Sequence, residues 1–105
     1  MPFLTIAVAR RWPRTLGGLS VSDDGERFTE LQGQYLAFIR AYTLVNGLAP
    51  AEADMQRFFG VTPPSVHQMV LTLERRGLAA RVAGAARSIR VLVPVEHLPP
   101  LQERR

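Results

Sequence analysis

The segment Thr62 to Gly77, TPPSVHQMVLTLERRG, predicts one helix with both of its ends marked in the sequence. The Thr62 hydroxyl can cap the first turn, and Pro63 fits the first helical position, where no backbone N–H is needed. Gly77 suits the position after the last turn, because glycine adopts the left-handed conformation required there. Any fold proposed for this chain must accommodate this helix.

The predicted helix has two different faces. At about 100° per residue, one stripe is apolar and is expected to be buried; it consists of Val66, Met69, Val70 and Leu73. The opposite face carries Pro64, Gln68, Leu71 and Arg75, with Ser65, Thr72 and His67 at its edges. This outer face has no carboxylate and suits an anionic partner with donors and acceptors. An ordinary solvated face is the alternative, and the helix alone does not decide between them.

A second predicted helix lies directly before this one. It opens at Pro50 or Ala51, runs through Phe59 and ends at Gly60, so only two residues separate it from the next helix. Two helices joined by a short turn that contains glycine are typical of a helix-turn-helix. The β-branched Val66, six positions after Gly60, fits the packing contact that such a corner needs.

The other elements complete one small fold. Thr29 and Gln32 form a capping-box pattern that predicts a helix from Glu30 to about Val45, ended by Asn46-Gly47. Its predicted apolar stripe is Leu31, Tyr35, Phe38, Ile39 and Tyr42. After Gly77 the period changes to two, which predicts strands at 78–82 and 87–93 joined by a tip at 83–86. Ile89, Val91 and Val93 should face inward. The predicted class is α+β, mostly α: a winged helix-turn-helix, with three helices followed by a two-stranded β-hairpin wing.

The 105 residues suffice for one domain with a modest core. We expect a flexible leader at 1–27, the folded domain at 28–93 and an extended tail at 94–105. The cluster Arg10, Arg11 and Arg14 in the leader belongs either to a mobile segment or to a basic arm along nucleic acid. In the tail, Val95 and Leu98 pack either on the domain or on another copy.

Composition excludes several classes of function. Without cysteine there is no disulfide, thiolate nucleophile or cysteine metal site. His67 and His97 are far apart and lack patterned carboxylates, so we expect no metal, no cofactor and no enzyme activity. No apolar run approaches the roughly 20 residues of a membrane span. We expect a soluble, cytoplasmic protein without a membrane partner.

Charge favours an anionic partner. The net charge is +4, and all 13 basic residues are arginine. Arginine pairs bidentately with phosphate and with guanine edges. The alternative explanation for the absence of lysine is a GC-rich genome, which replaces lysine codons with arginine codons whatever the function. The sign and the placement of the charge remain informative under either explanation.

Three segments of the chain carry a resemblance to one protein family. The pieces that carry it are FTELQGQYLAFIRAYTLVNGLAP, the corner FFGVTPPSVHQMVLTLERRGL and the wing strand SIRVL. Together they resemble the N-terminal DNA-binding domain of the LexA family of SOS-response repressors. The resemblance implies that helix 62–76 enters the major groove of double-stranded DNA while the hairpin wing lies on the backbone.

Carried over residue by residue, the resemblance implies a set of DNA-contacting positions on this helix and the wing. Near the start of the helix they are Thr62, Pro64, Ser65, His67, Gln68 and Thr72. Gln68 is the candidate for a base edge, because an amide pairs bidentately with adenine, and Ser65 suits a base or a phosphate. The candidates for phosphate contacts, which fix register without reading sequence, are Arg75, Arg76, Arg87 and Arg90.

The sequence also departs from the family. Pro64 removes a backbone donor at the start of the reading helix, and the C-terminal peptidase domain is not in the sequence, so we expect no self-cleavage. Dimerisation, which that domain supplies in the family, stays open. The first hypothesis is a small, sequence-preferring transcriptional regulator, a LexA-like repressor. The alternative is a protein-interaction module with the same fold, because Leu71 on the outer face and the paired prolines 63 and 64 suit an apolar partner.

Overall fold

The computed structural model describes residues 28–103. The predicted leader, with its cluster of Arg10, Arg11 and Arg14, lies outside the described residues. The elements are α1 (Glu30–Asn46), α2 (Glu52–Phe59), α3 (Pro63–Arg75), β1 (Ala79–Ala80), β2 (Arg90–Val91) and a 3-10 turn (Val95–His97). The strands form one antiparallel pair, which confirms the predicted fold class. Within residues 28–103, no helix has the length and apolar character to cross a membrane.

Local signals place the ends of α1 where the sequence predicts them. The Thr29 hydroxyl accepts the Gln32 N–H at 3.1 Å, and Gln32 Oε1 accepts the Thr29 N–H at 3.0 Å, which is the reciprocal capping box. Gly47 ends the helix with a φ of 77°. Both ends are therefore confirmed.

The buried face of α1 is wider than one stripe. Eight consecutive residues from Gln32 to Ile39 are buried, and Leu36 is fully inaccessible. Leu31, predicted to face the core, is 45% exposed. The predicted stripe is wrong at Leu31 and omits Leu36, because α1 packs against the other helices on one side and the C-terminal segment on the other.

The corner between α2 and α3 also follows its local signals. Gly60 ends α2 with a φ of 66°, and Thr62 caps α3. At the other end of α3, the Leu78 N–H donates to the Leu73 carbonyl at 2.9 Å and the Gly77 N–H donates to the Glu74 carbonyl at 3.0 Å. This pair of bonds is the Schellman motif that a left-handed Gly77 permits.

The core fixes α3 against the other helices. Val66, Val70 and Leu73 are at most 1% exposed, and Met69 is partly buried against the same cluster. The Tyr35 and Phe59 rings stack with their centroids 4.0 Å apart. The predicted inner stripe of α3 is therefore confirmed, and its outer face must point away from the domain.

The wing has much shorter strands than predicted. Only Ala79–Ala80 and Arg90–Val91 pair, and one further bond joins the Leu92 N–H to the Leu78 carbonyl at 2.9 Å. The predicted strands 78–82 and 87–93 are wrong in extent. The Ser88 hydroxyl accepts the Val82 N–H at 2.9 Å, and Arg87 has a φ of 55°, so the chain leaves the extended conformation. Ile89 and Val93 are buried and Val91 is partly buried, as predicted.

The segment after the wing packs against α1 instead of extending into solvent. Leu98 is 7% exposed within the core, whereas Val95 is 49% exposed. The buried Gln34 side chain donates to the Pro100 carbonyl at 2.9 Å and accepts the Gln102 N–H at 2.8 Å. A Cβ on Gly33 would lie 3.0 Å from Pro99 Cγ, so glycine permits this close approach. Packing thus continues to Gln102, past the predicted boundary at 93.

Candidate nucleic-acid interface

The first two turns of α3 protrude from the domain. Their exposed residues include five predicted contact positions: Thr62, Pro64, Ser65, His67 and Gln68. Farther along, Leu71 and Thr72 are half-buried, and Arg75 is exposed again. Leu71 was predicted to lie on the outer face, so its partial burial reduces the apolar surface there. The start of α3 therefore presents hydroxyl, amide and imidazole groups together.

The backbone at the start of α3 offers no free donor to an anion. Pro63 and Pro64 have no N–H. The Ser65 N–H is shared between the Thr62 hydroxyl at 3.3 Å and the Thr62 carbonyl at 3.0 Å, and the Val66 N–H donates to the same carbonyl at 3.2 Å. Helix N-termini commonly bind phosphate through such amides. Here any phosphate contact must come from side chains.

The Thr62 and Ser65 hydroxyls lie 3.0 Å apart and share a hydrogen bond. Because a single proton lies between them, one hydroxyl proton of the pair stays available to an outside acceptor. Thr62 is therefore both the cap of α3 and a member of its exposed polar surface.

Thr62→Ala should lower the free energy of unfolding by about 1 kcal/mol, because the capping oxygen is lost. Urea denaturation monitored by circular dichroism measures the change. Thr43→Ala is the matched control, since the exposed Thr43 hydroxyl bonds only the Ile39 carbonyl of its own helix. If the two variants were equally stable, Thr62 would not be acting as a cap.

Gln68 and Thr72 differ in the hydrogen bonds that their side chains can make to a bound partner. The Gln68 side chain is exposed and makes no hydrogen bond within residues 28–103, so its amide can pair in full with a base edge. The Thr72 hydroxyl donates to the Gln68 carbonyl at 2.9 Å and accepts from Arg75 Nη2 at 3.2 Å. The Thr72 proton is therefore already donated within α3, and the Thr72 oxygen is placed to orient the Arg75 guanidinium.

A carboxylate approaches α3 from α2. Nδ1 of His67 lies 3.3 Å from Oε2 of Glu52, and the two side chains are 49% and 38% exposed. The outer face of α3 has no carboxylate in its own sequence, so only the corner geometry brings this negative charge beside it. Glu52 restrains the imidazole and reduces the positive potential at this edge.

The predicted phosphate ligands occupy different environments. Arg75, Arg76 and Arg90 are exposed. Arg76 Nη1 lies 3.5 Å from Gln32 Oε1, and Arg90 forms no ion pair within the described part of the chain. Arg81, also on the wing, is half-buried and pairs with Glu74 of α3 at 3.0 Å. These three candidates thus keep an accessible guanidinium.

Arg87, the fourth candidate, is 41% exposed, but its guanidinium is bonded to the helical part of the fold. Its Nη1 donates to the Tyr42 hydroxyl at 3.2 Å and the Ala49 carbonyl at 3.3 Å, and lies 3.1 Å from Oδ2 of Asp54. Sequence reasoning missed this site, since it interpreted Asp54 only as an acid in the first turn of α2 and Tyr42 only as a core residue. No local pattern joins residues this far apart in the chain.

Asp54 is the charged centre of this site. Its side chain is 10% exposed, and Oδ2 also accepts the Ala51 N–H at 2.8 Å. Oδ1 pairs with Arg57. The Ala51 hydrogen bond is the main reason that the pKa of Asp54 lies below its ordinary value; Arg87 and Arg57 lower it further, while burial opposes them.

The lowered pKa of Asp54 predicts an acid-sensitive stability. The folded state binds this proton less readily than the unfolded state does, where the pKa is about 3.9. The stabilisation is therefore present above that value and is lost as the pH falls through the folded pKa. Asp54→Asn should be less stable than the unmodified protein at pH 7, and the difference should shrink as the pH falls below about 4. Thermal unfolding between pH 7 and pH 2.5 measures this.

Glu103→Gln is the control for the acid series, because it removes an exposed carboxylate at the far end of the described chain. Its stability should follow that of the unmodified protein at every pH. A constant difference between Asp54→Asn and the unmodified protein down to pH 2.5 would contradict the proposed role of the charge.

Comparison with known proteins finds similarity over the three helices and part of the wing. The sequence profile of the family described as LexA DNA binding domain matches residues 25–88. The LexA repressor of Thermosipho melanesiensis is 33% identical over 78 residues, covering 68% of this chain and 39% of that protein. That of Verrucomicrobium spinosum is 37% identical over 62 residues, covering 58% and 31%, and that of Thermotoga maritima is 30% identical over 73 residues, covering 70% and 37%. The chain spans about a third of the length of these relatives.

Proposed function

Because this chain belongs to the LexA DNA binding domain family, we propose that it is a sequence-preferring double-stranded DNA-binding protein that regulates transcription. One observation carries the proposal beyond family membership. The start of α3 presents the amide of Gln68, which makes no hydrogen bond within residues 28–103, beside the hydroxyls of Thr62 and Ser65. The outer face of this helix supplies no carboxylate of its own. Amide and hydroxyl groups suit the donors and acceptors of base edges.

In the proposed complex, the first two turns of α3 lie in the major groove and the wing lies along the backbone. Gln68 contacts a base edge, and the Thr62 and Ser65 pair contacts a base or a phosphate. Since α3 has no free N-terminal amide, the phosphates are held by exposed guanidinium groups, those of Arg75, Arg76 and Arg90. Binding is then strongly dependent on salt.

A single winged helix reads few bases, so a regulator of this size gains selectivity by binding as a homodimer to two half-sites. We include a homodimer on DNA in the proposal. A palindromic sequence among selected duplexes supports it, whereas a single short motif indicates binding by one copy.

The first experiment is a fluorescence-anisotropy titration of the 105-residue chain with a random duplex and with duplexes enriched from a library, at several salt concentrations. Three arginine contacts in each copy predict that log K falls against log salt with a slope of about −3 for every copy bound. Enrichment of a common sequence supports a regulator that reads DNA. No binding even at low salt would reject the proposal.

A protein-interaction module of the same fold is the second candidate, and it depended on an exposed Leu71. Leu71 is half-buried, so this observation is weaker than the sequence suggests. The candidate stays as the interpretation of a negative titration, and Leu71→Ala would then be the first variant tested against protein partners.

A further inference from the structure

We propose that Arg87, Asp54 and Tyr42 form a latch that fixes the wing relative to α3, so that Arg87 positions the wing and does not itself bind phosphate. The inference rests on the proposed DNA binding and reassigns one residue within it. Its central observation is that one guanidinium nitrogen of the wing loop reaches acceptors on three segments of the helical part: Tyr42 at 3.2 Å, the Ala49 carbonyl at 3.3 Å and Asp54 at 3.1 Å.

Asp54 is a rigid acceptor for this latch. It is 10% exposed and already accepts the Ala51 N–H at 2.8 Å, so its position is set by the first turn of α2. Because α2 packs directly against α3, a wing bound to Asp54 has its orientation coupled to the helix that enters the groove. The contact therefore joins the two DNA-facing parts of the fold.

The wing loop has few other attachments near its tip. An open cleft of about 300 Å³ lies between loop residues 84–88 and residues 50–52 at the start of α2. The β1–β2 ladder is two residues long, and the Ser88 bonds stay within the loop. The ion pair of Arg81 with Glu74 attaches only the base of the wing. Arg87 thus bridges α2 and a loop that would otherwise be held only at its base.

The backbone at Arg87 supports a role for its side chain. Its φ of 55° lies in the left-handed region, and among the described residues all others with positive φ are glycine. A glycine would adopt this conformation with less strain. The hydrogen bonds and the ion pair of the guanidinium offset that strain. They explain why arginine occupies this position.

The two possible roles of Arg87, as a phosphate ligand or as a positioning residue, predict opposite effects of Asp54→Asn on DNA affinity. If only charge mattered, Asp54→Asn would remove a negative group near DNA and tighten binding. If the latch positions the wing, the same variant weakens binding, as Arg87→Gln and Tyr42→Phe do. A phosphate ligand also changes the salt dependence, because its loss reduces the slope by about 1, whereas loss of a positioning contact leaves the slope unchanged.

The test uses the 105-residue chain and its variants Arg87→Gln, Asp54→Asn, Tyr42→Phe and the double variant Arg87→Gln/Asp54→Asn, titrated with one duplex over a range of salt. Each single variant should bind about three- to tenfold more weakly with an unchanged slope, and the double variant should bind no more weakly than either single. Arg90→Gln is the matched control and should reduce the slope by about 1.

Tighter or unchanged binding by Asp54→Asn, or a reduced slope for Arg87→Gln, would overturn the latch. Tyr42→Phe controls for a folding defect, because it removes only one hydroxyl.

If the unmodified chain binds no duplex, the proposed function fails first, and hydrogen exchange of the free protein still tests the latch. Arg87→Gln and Asp54→Asn should then speed exchange at residues 82–88 at least fivefold and leave Leu36 to Ile39 unchanged; equal exchange at the loop would overturn it.

Discussion

Leu98→Ala should lower the free energy of unfolding by about 2–3 kcal/mol, because it removes a buried side chain and leaves a cavity in the core. Leu98 is 7% exposed and belongs to the same cluster as the buried residues of all three helices. For a domain of this size the loss corresponds to a fall in Tm of about 10 °C. Urea and thermal denaturation of the full chain measure both quantities.

Val95→Ala is the matched control for Leu98→Ala. It lies three residues earlier in the same segment, is 49% exposed and should change stability by less than about 0.5 kcal/mol. If the Leu98 variant were as stable as the Val95 variant, the segment after the wing would not be part of the core. The packing of Gln34 on Pro100 and Gln102 would then also be in question.

Gln68→Ala should reduce the discrimination between the preferred duplex and a random duplex by about 1–3 kcal/mol. The side chain is exposed and has no partner within residues 28–103, so its removal leaves the fold of α3 intact. Affinity for the random duplex and the salt slope should stay unchanged, because no charge is lost. Competition titrations with the two duplexes measure the ratio.

Two further variants control for the loss of an amide and for the loss of a charge. Gln102→Ala removes an exposed amide from the C-terminal segment while keeping the backbone N–H that bonds Gln34, and should leave discrimination unchanged. Arg75→Ala should weaken binding to both duplexes alike and reduce the salt slope by about 1. Equal loss on both duplexes for Gln68→Ala would show that Gln68 contacts the backbone instead of a base.

Most of the surface of α3 could be predicted from spacing alone. An amphipathic helix with marked ends has only one way to bury its apolar stripe, and the exposure of Ser65, His67 and Gln68 follows from it. Leu71 and Thr72 are more buried than helical spacing indicates, because the spacing takes no account of the neighbouring elements that cover them. The assignment of Ser65, His67, Gln68 and Thr72 to DNA contact stays a prediction.

The charged surroundings of the site could not be predicted in the same way. Glu52 beside His67, and Asp54 beside Arg87, join residues 15 and 33 positions apart in the chain. Such pairs depend on the angle of the corner and on the course of the wing. Arginines that look equivalent in sequence therefore differ in their bonds: Arg90 has no ion pair within residues 28–103, whereas Arg87 is bonded to Tyr42 and Asp54.

Sequence alone was enough to predict the three helices, their ends and the inner face of α3, because caps, left-handed glycines and apolar spacing act within a few residues. The short wing strands, the packing of Leu98 and the buried bonds of Gln34 arise instead from tertiary contacts. Those contacts span up to 68 residues, and their free energy exists only once the chain has brought the partners together. Local chemistry selects the elements, and long-range packing selects which side chains remain exposed.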